Sequence, residues 1–158
     1  WAYGNSRFAP YTEQFYVGGA NSIRAFNARQ IGPGRYRSTQ RRRSYVEQTG
    51  DIKFQMNLEY RPRLMGSLYG AVFLDAGNVW TMHYDEGRPG GYFKMKNLFK
   101  EMALGTGVGL RYDLGYFMLR VDWGIGLHVP YDTGKNGFYN ISSFKDAQAF
   151  HLAIGLPF

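Results

Sequence analysis

From Ile52 the chain alternates strictly: Ile52, Phe54, Met56, Leu58 and Tyr60 are apolar, while Lys53, Gln55, Asn57, Glu59 and Arg61 between them are polar. Successive side chains of a β-strand point to opposite faces, so a segment written this way has one greasy face and one wet face. The pattern recurs four times. Leu68, Val72, Leu74 and Ala76 oppose Tyr69, Ala71, Phe73 and Asp75. Met102, Leu104, Val108, Leu110 and Tyr112 oppose Ala103, Gly105, Gly107, Gly109, Arg111 and Asp113. Phe117, Leu119, Val121, Trp123, Ile125 and Leu127 oppose Met118, Arg120, Asp122, Gly124, Gly126 and His128. Last, Phe150, Leu152, Ile154, Leu156 and Phe158 oppose His151, Ala153, Gly155 and Pro157. Strands are therefore expected near 52–61, 68–77, 102–113, 116–128 and 147–158, and the fold class is all-β and antiparallel.

Two architectures use such strands. A soluble sandwich turns its greasy faces inward. A transmembrane barrel turns them outward to lipid and keeps the wet faces around a lumen. Pattern alone leaves the sandwich open, but charge and glycine on the second face (Glu59, Asp75, Arg111, Arg120, Asp122) favour the barrel. The mean hydropathy of −0.40 does not separate them, because a spanning strand needs only about 9–11 residues, half of them apolar. No run approaches the ~18 apolar residues of a spanning helix. Connection lengths give an independent cue. Short links at Pro62–Gly66 and Asp113–Gly115 alternate with long ones at 8–50, 81–100 and 130–146. Outer-membrane barrels have short turns on the periplasmic side and long loops on the outer side. On this reading Trp1–Ser6 is the tail of one more strand, and Phe158 ends on the periplasmic side. Five strands and a tail cannot close an ordinary barrel, and open edges are not tolerated in lipid. With no initiator Met and no leader pattern, the chain reads as a piece of something longer.

Several chemistries are disfavoured. The chain has no Cys, hence neither disulfides nor a Cys-based metal site. Its histidines, His83, His128 and His151, lack metal spacing and read as lumen or loop residues. Gly105-Thr106-Gly107-Val108-Gly109 lies within a strand pattern with no helix following, so the glycines read as small lumen residues and not as a phosphate loop. Ser142 and Ser143 have no placed His partner, which leaves an outer-membrane enzyme as a weak reading. The net charge of +7 is partly local, with Arg35, Arg37, Arg41, Arg42 and Arg43 close together. That cluster reads as a solvated loop, and no nucleic-acid partner is expected. No catalytic residue, metal or cofactor is expected.

Two motifs carry a resemblance. The segment Pro10-Tyr11-Thr12-Glu13-Gln14-Phe15-Tyr16-Val17-Gly18-Gly19-Ala20-Asn21-Ser22-Ile23-Arg24-Ala25-Phe26 has an aromatic, a Gly-Gly pair and then Ile-Arg-Ala-Phe. Phe73-Leu74-Asp75-Ala76-Gly77 has the pattern Phe/Gly-x-Asp-x-Gly. Together they resemble the conserved loop and strand-wall motifs of the BamA/TamA superfamily of outer-membrane barrels, also called the bacterial surface-antigen barrel. The loop signature there is Val-Arg-Gly-Phe/Tyr, so Ala25 departs from it; were φ positive at that position, Ala would be strained.

The resemblance implies a lumen-inserted loop, 8–50, whose Arg24 meets Asp75 and Glu59 on the wall. A guanidinium offers carboxylates a rigid fork of donors, which suits the anchoring of a loop against its entropy. It implies that the chain is the last five strands of a barrel of about sixteen, an even number as such barrels usually have. It implies a seam, with 147–158 on one side, at which client strands pair by β-augmentation. The function implied is insertion or assembly of other outer-membrane proteins, or translocation. The partners implied are outer-membrane lipid, absent N-terminal barrel strands, absent periplasmic repeat domains and client outer-membrane proteins. A two-partner secretion pore shares these motifs and stays open as an alternative. Phe150, Leu152, Ile154, Leu156 and Phe158 resemble the C-terminal signal by which such barrels are themselves recognised, although Ala153 stands where Gly is favoured.

Overall fold

The structure is a computed structural model that describes residues 10, 13–38, 48–135, 137–141, 143, 145 and 147–155. It is an all-β chain with one antiparallel sheet. The strands are β1 (Ile52–Tyr60), β2 (Arg63–Met65), β3 (Leu68–Trp80), β4 (Ala103–Asp113), β5 (Met118–His128) and β6 (Gln148–Gly155). Their order is β1-β3-β4-β5-β6, with β2 paired to the start of β3. Each main strand lies antiparallel beside its chain neighbour, across short and long links alike. The sheet is not closed. Among the described residues, β1 and β6 each pair on one side only, which fits an open barrel segment.

Burial inverts the rule of soluble proteins. On one face Leu58 is 67% exposed, Tyr60 71% and Phe150 69%, with Met56, Val72, Val108, Leu110, Leu152 and Ile154 beside them. On the other face Asp75, Arg111 and Asp122 are fully buried. Water-facing apolar stripes on every strand would be untenable for a soluble sandwich. They are what a lipid-facing wall requires.

Residues from the long N-terminal loop cover the inner face. Their apolar side chains, Val17, Ile23, Ala25, Phe26 and Ile31, form a core with Val79, Ala103, Val129, Tyr131, Ile141 and Ala147 from the strand ends and outer loops. This core replaces the second sheet of a sandwich.

Three details differ from the strand pattern. β3 runs on to Trp80, because β1 continues to pair with it through Ile52↔Trp80 after β4 has stopped at Gly77↔Ala103. β2 is a short arm inside the first tight link; its turn uses Gly66 at φ 50. β5 starts at Met118 because Tyr116 and Phe117 belong to the turn, which Leu114 N–H closes onto Phe117 O at 3.0 Å, with Gly115 at φ 85. Of the last expected strand, 156–158 lies outside the described residues, as does the tail Trp1–Ser6.

The long links, 81–102 and 129–147, leave the opposite end of the sheet. The first carries a 3₁₀ turn, Met95–Asn97. It is fastened to the inserted loop: Arg35 N–H donates to Gly90 O at 3.0 Å, and Arg88 Nη1 to Thr49 O at 2.9 Å. The second is clamped by Asn140, whose amide exchanges two bonds with the Val129 backbone, 2.8 and 2.7 Å. Burial pushes the Tyr131 phenol up, against the opposing effect of Arg37, which lies over its ring at 4.4 Å.

Candidate functional site

The inserted loop leaves and returns beside β1. Phe15 and Gly50 form an antiparallel bridge, with N–H to O distances of 2.8 and 2.9 Å in the two directions. Gly18 and Gly19 both take positive φ, 97 and 94. A side chain at Gly18 would also overlap the Asn27 carbonyl, so glycine is required there twice over. The turn they open is closed by Gly19 N–H to Phe26 O, 2.7 Å, and Arg29 N–H to Val17 O, 2.9 Å. Ser22 Oγ accepts from Gly18 N–H and donates to Gln55 Oε1 of β1 at 2.8 Å. Of the described residues other than glycine, Arg29 takes positive φ; Ala25 does not. Alanine at position 25 therefore carries no backbone strain.

Arg24 sits at the tip, buried. Its backbone N–H and its Nε both donate to Asp75 Oδ2, at 2.9 and 2.8 Å, and its Nη2 donates to Oδ1 at 2.8 Å. Asn57 Nδ2 supplies a fourth bond to Oδ1 at 2.8 Å and also donates to Ser22 O. A carboxylate has about four acceptor sites, so Asp75 is saturated, three of its bonds coming from one loop residue. The remaining Nη1 of Arg24 pairs with Glu59 Oε2. The guanidinium lies over the Phe73 ring, 3.7 Å from its centre. Arg24, Asp75, Glu59 and Phe73 are thus one contact group, held by the loop, β3 and β1.

Gly77, on the same face of β3, faces Ile23; a Cβ there would come 3.3 Å from Ile23 Cδ1 and closer still to the β1 backbone. The glycines of β4 and β5 make the rest of the seat. Gly105 pairs with Gly126 and Gly107 with Gly124 across the ladder. A Cβ on Gly105 would overlap Ala25, one on Gly124 would come 2.7 Å from Ala25 Cα, and one on Gly126 would come 2.9 Å from the Phe26 ring. Ile23, Ala25 and Phe26 thus lie in a groove floored by backbone.

The polar network extends beyond the residues singled out by motif. Glu59 Oε1 also takes Arg61 Nε at 2.6 Å and Arg111 Nη2 of β4 at 3.1 Å. Arg111 Nη1 reaches Asp122 Oδ1 at 2.6 Å, and Arg120 Nε reaches Asp122 Oδ2 at 3.2 Å. Both Asp122 contacts are close ion pairs whose angles fall short of hydrogen bonds. Arg120 Nη2 donates to Ala20 O and to Asn21 Oδ1 of the loop. His151 Nε2 lies 3.0 Å from Arg24 O. Arg111, Arg120, Asp122 and His151 share the period-2 phase of Glu59 and Asp75; phase marks their face but not which of them meet.

Phe150, Leu152 and Ile154 form an exposed outer stripe on β6, while Leu156 and Phe158 lie outside the described residues. Among the described residues no group of His, Asp and Glu is disposed to hold a metal, and no helix is long and apolar enough to cross a membrane.

A loop pinned by Arg to an Asp of the wall, over glycines, inside an inverted antiparallel sheet, narrows the relatives sharply. A family model, the Omp85 superfamily domain, matches residues 2–158. The chain belongs to the Omp85 superfamily. No curated protein gives a significant match. Omp85 domains are characteristic of bacterial outer-membrane proteins, and the superfamily serves insertion and translocation of outer-membrane proteins without covalent chemistry. Its members work with outer-membrane clients and partner components.

Proposed function

We propose that this chain is the C-terminal part of a bacterial outer-membrane barrel of the BamA/TamA type, one that assembles or inserts other outer-membrane proteins. The observation that carries the reading is the saturated Asp75 carboxylate, three of whose four bonds come from Arg24 at the tip of the inserted loop. Such a seat holds a loop against the inner wall of a barrel in one conformation. It supports a role for Arg24, Asp75 and Glu59 as the loop anchor, with Gly18, Gly19, Ile23, Ala25 and Phe26 shaping the loop and Phe73 and Gly77 the wall.

Among the described residues β6 pairs with β5 alone, which supports the second half of the reading. An edge strand can take up an extended client strand by β-augmentation, and the outer stripe of Phe150, Leu152 and Ile154 suits lipid. N-terminal strands of the same barrel and periplasmic repeats complete the machine. Residues 150–158 also serve as the barrel's own assembly signal.

Depletion of the full-length protein tests the function. The levels and insertion rates of other outer-membrane barrels are expected to fall. Unchanged levels and rates, with a single exported passenger protein lost instead, would replace the insertase by a two-partner secretion pore.

A further inference from the structure

The side chain of Arg24 is held by β1 and β3, but its backbone carbonyl is held at the far end of the sheet. His151 on β6 lies 3.0 Å from Arg24 O through Nε2. A carbonyl oxygen only accepts, so the imidazole donates from Nε2. The neighbouring strand is cut away at the same point: Gly124 of β5 is where a Cβ would overlap the Arg24 carbonyl. Gly124 pairs with Ala149, and Asp122 with His151, so hollow and donor sit side by side on β5 and β6. The same face of β6 carries only Ala149 and Ala153 beside the imidazole, leaving the loop room to reach it.

We propose that His151 is a positioning residue, a latch that ties the edge strand β6 to the seated loop through the Arg24 carbonyl. Loop tip residues 20–24 then touch four of the five main strands directly: besides His151 of β6, Ser22 meets Gln55 and Asn57 of β1, and Arg24 meets Asp75 of β3. Through Glu59 the tip is coupled to Arg111 of β4, and Ala20 and Asn21 meet Arg120 of β5. The latch makes the looseness of β6, an edge strand among the described residues, depend on whether the loop is in place. It rests on the loop anchor proposed above, and not on what the barrel carries.

Amide hydrogen exchange on the full-length protein in lipid nanodiscs tests this. A single hydrogen bond of ordinary net strength is about fivefold in a local opening equilibrium. His151→Ala is expected to speed exchange about fivefold at Arg24–Phe26 and at Phe150–Ile154, with the β1–β3 ladder at wild-type rates. His151→Gln, which returns an N–H donor at similar reach, is expected to restore both segments. Wild-type exchange at Arg24–Phe26 in His151→Ala, or failure of Gln to rescue, overturns the latch. Asp75→Asn separates the two ideas. If it frees the loop while His151→Ala does not, the latch alone is wrong; if it leaves the loop seated, the anchor is wrong. Should His151→Ala not assemble, ¹⁵N spectra of histidine-labelled wild type decide: a slowly exchanging Nε2–H, assigned by its loss in His151→Gln, supports the latch, and a freely exchanging one overturns it.

Discussion

At the scale of the residue, the seat is an arrangement of complementary absences and charges. Removing one partner of a buried ion pair costs about 3–5 kcal/mol, because the other is left uncompensated. Asp75→Asn in the full-length protein should therefore lower the temperature at which the folded, heat-modifiable form is lost on gels, and expose the loop to protease. An unchanged transition and an unchanged digest would show that the Arg24–Asp75 pair does not hold the loop. The groove makes a second, steric prediction. Gly105→Ala places a methyl against the Ala25 methyl and should destabilise by about 1–3 kcal/mol, the usual cost of overpacking. Ala25→Gly removes the opposing methyl, so the double variant should recover most of that loss, a coupling expected only of residues in contact. Additive losses would mean that the two do not meet. Motif resemblance made Arg24, Asp75 and Glu59 legible in the sequence. Arg111, Arg120, Asp122 and His151 were legible only as residues of the wet face. Their partners lie up to 127 positions away, as His151 and Arg24 do, and no local pattern encodes that pairing.

At the scale of the element, the five long strands follow from alternation alone, because each must satisfy two unlike surroundings along its whole length. The errors fall where a neighbour, and not the strand itself, sets the end. β3 extends through Asn78, Val79 and Trp80 because β1 still pairs with it there, and the outer loop shields that stretch: Trp80 Nε1 donates to Glu101 at 2.8 Å and its ring meets Phe93 edge-on. The loops themselves follow no period, and their order comes from single polar clamps. Asp85 is one such clamp. Burial would raise its carboxyl, but Arg88 Nε at 2.7 Å and Gly87 N–H at 2.9 Å hold it below the usual carboxylate range. A depressed folded-state pKa contributes stability above the ordinary aspartate value of about 3.9, and that stability is lost as pH falls through the folded value. Protection of the Gly87 and Arg88 amides, corrected for intrinsic exchange, should stay flat from neutral pH down to about 4 and fall only below it. Asp85→Asn should remove the dependence. Protection that fades well above pH 4, or a variant that titrates like wild type, would assign the turn to other groups.

At the scale of the whole molecule, the loop is packed on the wall, and among the described residues β1 and β6 each pair on one side only. The inner face is satisfied by the chain itself: the apolar core joins loop to strand ends, and the buried charges meet one another. The outer face carries exposed apolar side chains of the kind that lipid satisfies. Among the described residues no further strand pairs with the outer edges of β1 and β6; hydrocarbon offers no hydrogen bonds, and each unpaired buried backbone group costs several kcal/mol. β1 presents a nine-residue edge and β6 an eight-residue one, similar in length. The 158-residue chain refolded by itself in micelles is therefore expected to associate through these edges. Light scattering should give a mass well above 18.1 kDa after correction for bound detergent. The association should depend on the backbone: proline placed at outward-facing N–H positions of β1 and β6 should return smaller species, since it removes a donor that no side chain can replace. A stable monomer with both edges protected from exchange would mean that the chain closes on itself. In that event the loop anchor would be sealing a small, complete sheet, and the need for further strands, with the seam that an insertase requires, would disappear.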